Sequence, residues 1–232
     1  MNNWLDRIQR LLLPTDCLLC GGGPTTLPNL CTACAADLPR LGPRCLGCAA
    51  PLPCSSLCPR CRHRAPPYAC VRSPFRYAPP VSELVQNLKF RGHLPAAEPL
   101  GRLLAMHLAA GGAQRPQIIV PVPLHPHRLR VRGFNQAVEI GRRVGRDLKL
   151  ALVPGAAWRV RATPPQTGLA SRSERRLNVR GAFVASPEVR GLRHVAILDD
   201  VLTTGATVSE LARVLKRAGV ARVEVWAVAR AG

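Results

Sequence analysis

Aromatic side chains are scarce: Phe, Trp and Tyr make up 4% of the 232 residues. Aliphatic side chains must therefore fill any core, and platforms for stacking unpaired bases are few. Acids are scarce as well, 13 against 33 basic residues, for a formal net charge of +20. That balance excludes an acidic, solvating chain and favours a polyanionic partner. Lysine contributes only Lys89, Lys149 and Lys216. The rest of the positive charge is arginine, whose fork binds phosphate through two parallel hydrogen bonds. GC-rich coding also substitutes arginine for lysine, but it does not explain the excess over acids. No apolar run approaches the ~18 residues of a membrane-spanning helix. The opening MNNWLDRIQRLLLP has an apolar face but no long apolar region with a small-residue cleavage site. It reads as a short docking helix. The expected location is the cytoplasm, at the inner face of the membrane only through partners, with cysteines reduced.

What the chain does have is hydrophobic content of 47%, enough for a folded core, and a clustered set of cysteines. All ten lie between Cys17 and Cys70. Eight form C-x-x-C pairs: Cys17/Cys20, Cys31/Cys34, Cys45/Cys48 and Cys58/Cys61. CLLC and CTAC form one unit, CLGC and CPRC its repeat. Each unit supplies four thiolates, the donor set of a tetrahedral structural zinc site. A disulfide scaffold is the competing reading, and the absence of an export signal weighs against it. Cys54 competes with Cys58 for the last place, but Cys58 completes a C-x-x-C. Cys70 reads as a small core residue. Gly21 and Gly47 suit sharp knuckle turns. The segment is too poor in large apolar residues to fold unaided, so metal must supply the folding energy.

RHRAPPYAC reads as a linker, which divides the chain into residues 1–64, helix and double zinc ribbon, and residues 65–232. In the second part apolar strands alternate with amphipathic helices: CVRSPFRY, PVSELVQNLKF, EPLGRLLAMHLAA, QIIVPV, FNQAVEIGRRVGRDL, AWRVRA, HVAIL, TVSELARVLKRAG and ARVEVWAV. That alternation predicts an α/β fold with a parallel sheet flanked by helices. Thr207 and Glu210 have capping-box spacing.

VAILDDVLTTGAT, residues 195–207, carries the chemistry. A buried strand ends in Asp199 and Asp200, where open α/β sheets bind ligands. The turn Thr203, Thr204, Gly205, Ala206, Thr207 then enters a helix N-terminus, which favours phosphate. Carboxylates do not bind phosphate. They accept hydrogen bonds from vicinal hydroxyls or act through Mg²⁺. Acids for hydroxyls beside amides for phosphate describe a ribose 5-phosphate. Without ligand, two adjacent carboxylates repel each other, so removing their charge is expected to cost little stability.

The segment resembles the phosphoribosyl-pyrophosphate (PRPP) motif of type I phosphoribosyltransferases. With VPVPLHPHRLRVRGFNQA (120–137), RATPPQTGLASRSERRLNVRGAF (161–183) and the cysteine pairs, the chain is similar to the ComF competence family. The resemblance implies a type I phosphoribosyltransferase-like domain behind the ribbon, with PRPP and Mg²⁺ as ligands. It implies a pyrophosphate loop at Pro123, Leu124 and His125. It also implies an arm, residues 163–181, that closes over the leaving group, with Arg161 and Arg172 stabilising its charge. The acceptor would sit under a hood formed by residues 71–115. Helical Arg142, Arg143 and Arg146 read as a solvated face. The family is tied to uptake of transforming DNA, which implies single-stranded DNA and DNA-uptake or helicase components as partners. Two functions stay open: a Mg²⁺-dependent phosphoribosyltransferase, or a non-catalytic nucleic-acid-binding or regulatory module.

Overall fold

The computed structural model describes residues 16–22, 25, 27, 29–112, 114–163 and 171–232. The expected amino-terminal docking helix and the centre of the arm lie outside the described residues. Two short helices, α1 (Thr32–Ala36) and α2 (Pro59–His63), belong to the cysteine-rich segment. The remainder forms strands β1 (Val71–Arg72) and β2 (Phe75–Arg76), helices α3 (Val81–Arg91) and α4 (Ala97–Ala110), and strand β3 (Ile118–Pro121). Then come α5 (Pro126–Arg132), α6 (Gln136–Leu148), β4 (Ala151–Leu152) and β5 (Ala157–Arg159). The chain ends with α7 (Arg172–Val179), β6 (Phe183–Ala185), β7 (His194–Leu202), α8 (Ala206–Arg217) and β8 (Arg222–Arg230).

The main sheet has the order β1-β8-β7-β3-β4, with β2 also on β8, and every pairing in it is parallel. This is the α/β architecture expected from the sequence, with the cysteine-rich double ribbon before it. Period-two alternation on β7 sends Val195 and Ile197 to one face and Ala196 and Leu198 to the other. The first pair joins a core with Val208, Leu211 and Leu215 of α8. The second joins a core with Leu84 and Leu88 of α3, Leu100 and Leu104 of α4, and Ile140 and Val144 of α6. Strands covered on both faces need unbroken apolar runs. β8 is buried from Val223 to Arg230 and apolar from Val225 to Ala229, with the buried charges Glu224 and Arg230 on either side of that run.

Four expectations change. CVRSPFRY is two strands rather than one, broken at Ser73 and Pro74, since proline has no N–H to give a ladder. AWRVRA stays outside the main sheet: β5 pairs antiparallel with β6, so the arm is the loop of a small hairpin. The capping box does not form. Gly205 is the N-cap of α8 and makes no side-chain cap, while Glu210 accepts the Gly181 N–H at 3.0 Å and pairs with Arg213 at 2.8 Å. Arg143 is not solvated. It is buried between α4 and α6, paired with Asp147 at 2.9 Å and also with Glu98. Arg142 and Arg146 are exposed, as expected.

The linker is not loose either. Tyr68 is buried, and ribbon residues Leu30 and Leu38 pack into the core around Phe75. Cys70 is half-buried beside Glu224 rather than part of a core.

Gly101 lets α4 approach α6. In an exposed helix Gly→Ala gains roughly 1 kcal/mol. Here a Cβ would stand 2.8 Å from the Ile140 carbonyl oxygen and 2.7 Å from Arg143 Cβ, so the sign reverses. Gly101→Ala is expected to destabilise the fold by roughly 1–3 kcal/mol in urea unfolding. A raised midpoint would show that this helix contact is loose.

Candidate functional site

The eight paired cysteines converge as two clusters, Cys17–Cys20–Cys31–Cys34 and Cys45–Cys48–Cys58–Cys61, with Sγ atoms all within 4.8 Å of one another in each. The Cys20–Cys31 and Cys48–Cys58 sulfurs stand 3.9 Å apart. A tetrahedral zinc with bonds of about 2.3 Å separates its sulfurs by about 3.8 Å. The two clusters therefore fit two structural zinc ions. Cys54 is exposed and belongs to neither.

Each unit is built alike. Its second C-x-x-C spans the first turn of a short helix, with Cys31 and Cys58 as the N-caps of α1 and α2. Its first C-x-x-C closes a knuckle: Gly21 N–H donates to the Cys17 carbonyl and Ala49 N–H to the Cys45 carbonyl, both at 2.8 Å. Gly21 (φ 68°) and Ala49 (φ 54°) are the left-handed residues of these turns. Gly47, expected in that role, is needed for space instead, because a Cβ there would lie 3.3 Å from Cys61 Sγ.

The thiols are unequal without metal. Burial opposes ionisation of Cys17 and Cys45, but backbone N–H groups outweigh it and lower both to about 6. Cys34 is raised by its thiol neighbours, and Cys61 by burial and then its neighbours. Metal must displace those last protons.

The second candidate site lies at the carboxyl ends of β7 and β3. β7 runs on to Leu202, so Asp199 and Asp200 sit inside the strand, pointing to opposite faces. Asp200 is buried at 2% exposure, and its Oδ2 accepts from Lys89 Nζ of α3 at 2.9 Å. Burial pushes the Asp200 carboxyl up, but the Lys89 ammonium outweighs it and holds the group below its usual value. Asp199 is pushed well up, first by burial and then by the charge of Asp200. Its Oδ1 accepts the Asp200 backbone N–H at 2.9 Å. The two acids do repel each other, and Asp200 is held by Lys89 rather than left without a partner.

The loop beyond β7 brings Thr203, Thr204 and Gly205 to the N-terminus of α8, with Ala206 and Thr207 in its first turn. Gly205 is left-handed (φ 76°), and a Cβ there would be 3.2 Å from the Tyr68 hydroxyl. First-turn amides have no acceptor within their own helix; the Ser209 N–H is bonded to the Gly205 carbonyl at 2.9 Å. No acid occupies the first turn of α8, so its positive dipole end favours an anion; the Ala206 N–H donates to Thr204 Oγ1 at 3.4 Å. On the neighbouring strand, Val122 N–H donates to the Leu198 carbonyl at 2.9 Å. Pro123, Leu124 and His125 follow directly, with His125 Nδ1 capping α5 through the His127 N–H at 3.2 Å.

Three basic residues at this site are not singled out by motif. Lys89 is one. Arg159, 7% exposed, donates to the Thr163 hydroxyl, and its Nε has no partner among the described residues. Burial, then the charge of Arg128, lowers Arg159 to about 10, with Asp199 acting the other way. Arg128 donates to the Thr163 carbonyl at 3.4 Å. The signal in the sequence was only that Arg159 precedes the arm. Arg161, two residues on, is directed elsewhere: it donates to the carbonyls of Asn178 at 3.0 Å and Arg180 at 2.6 Å. Arg172 opens α7. On the hood side, Phe90 is 65% exposed, next in sequence to Lys89, with the Arg132 guanidinium 5.9 Å from its ring centre.

One residue links the two sites. Arg230, 2% exposed, donates from Nε to the Cys48 carbonyl at 3.2 Å and from Nη1 to the Leu202 carbonyl at 3.1 Å. The second metal knuckle and the exit of β7 share one guanidinium.

A family model described as a double zinc ribbon domain matches residues 8–62. "DNA utilization protein YhgH" of Escherichia coli strain K12 is 40% identical over 177 residues, 75% of this chain and 77% of that one. "Competence protein F" of Haemophilus influenzae is 37% identical over 163 residues, 67% of this chain and 70% of that one. The chain belongs to the ComF family. Among solved structures, the ComF-family chain aligns with a B. subtilis glutamine PRPP amidotransferase complexed with ADP and GMP. That alignment covers 55% of this chain and 25% of that one, at 21% identity and a TM-score of 0.37. No described helix is long and apolar enough to cross a membrane.

Native mass spectrometry should find two zinc ions per chain. Chelation should unfold the ribbon before the α/β core, read as loss of amide protection in residues 16–62 first. One zinc would mean a degenerate cluster, and none, in protein made with ample metal, would refute the ribbon chemistry. The two aspartates should differ. Asp199→Asn should raise Tm near pH 8, where the native carboxyl must ionise against its surroundings. The gain should start to fall as the pH drops through the raised value of Asp199 and be gone only below the unfolded carboxyl's ordinary value of about 4, where both states are protonated. Asp200→Asn strands Lys89 and should cost about 3 kcal/mol at neutral pH. That difference should fade as acid protonates wild-type Asp200 below its lowered value. Equal effects of the two substitutions would contradict the asymmetry.

Proposed function

We propose that this ComF-family chain binds PRPP with Mg²⁺ at the carboxyl end of β7 and transfers its ribose 5-phosphate to an acceptor. The carrying observation is the run from Asp199 and Asp200 into a helix N-terminus that begins at left-handed Gly205 and holds no acid in its first turn. In this reading the unit is residues 65–232, and residues 1–64 are its zinc-bound support. Thr203, Thr204, Gly205, Ala206 and Thr207 take the 5′-phosphate. Asp199 and Asp200 take the ribose hydroxyls, and Lys89 leaves Asp200 as they do.

Pro123, Leu124 and His125 take the diphosphate, with Arg128 and Arg159 behind them and Arg161 and Arg172 on the arm. Arg159 supports that role because its buried Nε has no partner among the described residues and a buried unmatched donor is costly. Mg²⁺, carried on the diphosphate, would neutralise part of its charge. The bond from C1 to the diphosphate oxygen breaks with its electron pair, a bond from C1 to the acceptor forms, and the acceptor loses a proton. The arginines stabilise the departing charge, and closure of the arm excludes water. Phe90 offers a flat apolar surface to the acceptor on the hood side.

The names of the relatives support a role in DNA utilisation and competence; single-stranded DNA and uptake or helicase components are the partners proposed with it. The net charge of +20 favours a second reading, that PRPP is only a regulatory ligand of a nucleic-acid-binding module.

Titration calorimetry with PRPP and Mg²⁺ decides the binding claim. The Asp199→Asn, Asp200→Asn double variant should stay folded and bind at least 100-fold more weakly. Unchanged affinity would overturn the site. Pyrophosphate release on incubation with a panel of nucleobases decides the catalytic claim. Binding without release for any acceptor would leave only the regulatory reading.

A further inference from the structure

A cavity of about 300 Å³ lies on the α4 and α6 side of the sheet, near the start of β8. Among the described residues, neither aspartate of β7 nor any part of the phosphate loop lines it. Leu108 and Ala109 reach it from the last turn of α4, and Leu148 and Leu150 from the end of α6 and the turn beyond. Trp226 of β8 completes the apolar wall. Three charged residues interrupt that wall: Arg72 of β1, Arg115 and Glu224.

Glu224 limits what the cavity can hold. It is buried, at 1% exposure. Its Oε2 accepts from Arg72 Nε at 3.1 Å and from Trp226 Nε1 at 3.4 Å. Its Oε1 accepts from Arg222 Nη2 at 2.9 Å and Nε at 3.3 Å. Burial pushes the carboxyl up, but the Arg222 and Arg72 donors outweigh it and hold the group below its usual value. A carboxylate offers about four acceptor positions, so this one is full and has no place for a donor from a ligand. The open groups are cationic. Arg72 uses Nε on Glu224, and its Nη groups meet no acceptor among the described residues. Gly111 leaves space for them, since a Cβ there would stand 2.9 Å from Arg72 Nη1. The Arg115 side chain is exposed at the edge of the cavity. Positive charge also prevails around the end of α4, where burial and then Arg44, Arg72 and Arg40 hold His107 below its usual value.

We propose that this cavity binds a small monocarboxylate with an apolar body, its head group on Arg72 and Arg115 and its body against Leu108, Leu148, Leu150 and Trp226. A guanidinium edge pairs with a carboxylate through parallel N–H bonds. A neutral ligand would bury the Nη groups unmatched, and a cation would be repelled by them. The volume is at the small end of ligand cavities, which suits one short chain or ring. The site is independent of the reaction proposed above, so its ligand is a regulator rather than a substrate.

The test titrates sodium octanoate into the zinc-loaded full chain at pH 7 by calorimetry. One octanoate per chain should bind with a Kd on the order of 100 μM, and octylammonium at least about tenfold more weakly. Ala109→Trp should fill the cavity from an exposed helix position, and Arg115→Gln removes one cation at its edge. Each should keep the wild-type Tm and weaken octanoate roughly fivefold or more. Ala110→Trp, exposed and outside the lining, should bind as the wild type does. Arg72 is left in place, because its loss would strip a donor from buried Glu224. Octanoate that fails to bind at millimolar concentration, or binds no better than octylammonium, would overturn the assignment. So would equal affinity in the wild type, Ala109→Trp and Arg115→Gln. Saturating PRPP with Mg²⁺ should leave octanoate affinity unchanged, and displacement by PRPP would overturn the separate site.

Discussion

Arg230 sits where the cysteine-rich segment and the α/β sheet meet, and both depend on it. A buried guanidinium costs several kcal/mol to desolvate unless its donors are met. Here they are met by carbonyls from opposite sides of the boundary, Cys48 in the second knuckle and Leu202 at the end of β7. The knuckle has no apolar core of its own. Its position is set by four cysteine sulfurs, which zinc would hold with about 10–16 kcal/mol, and by Leu41 and Ala49, which pack into the α/β core. Zinc on those sulfurs would hold Cys48, whose carbonyl Arg230 ties to the Leu202 carbonyl where β7 ends. Tyr68 adds a second brace by packing against Gly205. The ribbon acts on the site through support, without contributing a ligand to it.

Charge is distributed with the same economy. β7 places its two acids on opposite faces, one against the ammonium of Lys89 and one near enough to Arg159 to raise it. The site is therefore close to neutral on the Asp200 side and cationic on the Asp199 side. The ligand proposed above would set its ribose hydroxyls on the acids and its phosphates on the loop and the arginines. Lys89 is the exception, because the group that stabilises Asp200 in the free protein occupies an oxygen that a hydroxyl would need.

Much of this was legible in the sequence. The four C-x-x-C pairs specified both clusters, since two ligands three residues apart can share one knuckle. VAILDDVLTTGAT specified the strand, the acids and the helix entry, because buried strands, turns and helix starts have local signatures. What could not be read was tertiary. Lys89 lies 111 residues from Asp200, and nothing in LKF says that its amine crosses to β7. Arg143 looked solvated until α4 supplied Glu98. Arg161 and Arg159 look alike in RVRA, yet β5 ends at Arg159, and Arg161 beyond it reaches the Asn178 and Arg180 carbonyls at the end of α7. Thr207 and Glu210 had the spacing of a capping box, but Gly205 starts the helix two residues earlier than a Thr207 cap would place it, and Glu210 turns to Gly181.

The central claim is that one ligand spans the acids and the loop. A crystal structure of the zinc-loaded chain soaked with PRPP and Mg²⁺ tests it most directly. The account predicts the 5′-phosphate on the amides of residues 204–207, the ribose hydroxyls on Asp199 and Asp200, and Lys89 drawn off Asp200. PRPP lodged among Arg64, Arg176 and Arg213, with the Lys89–Asp200 pair intact, would contradict it.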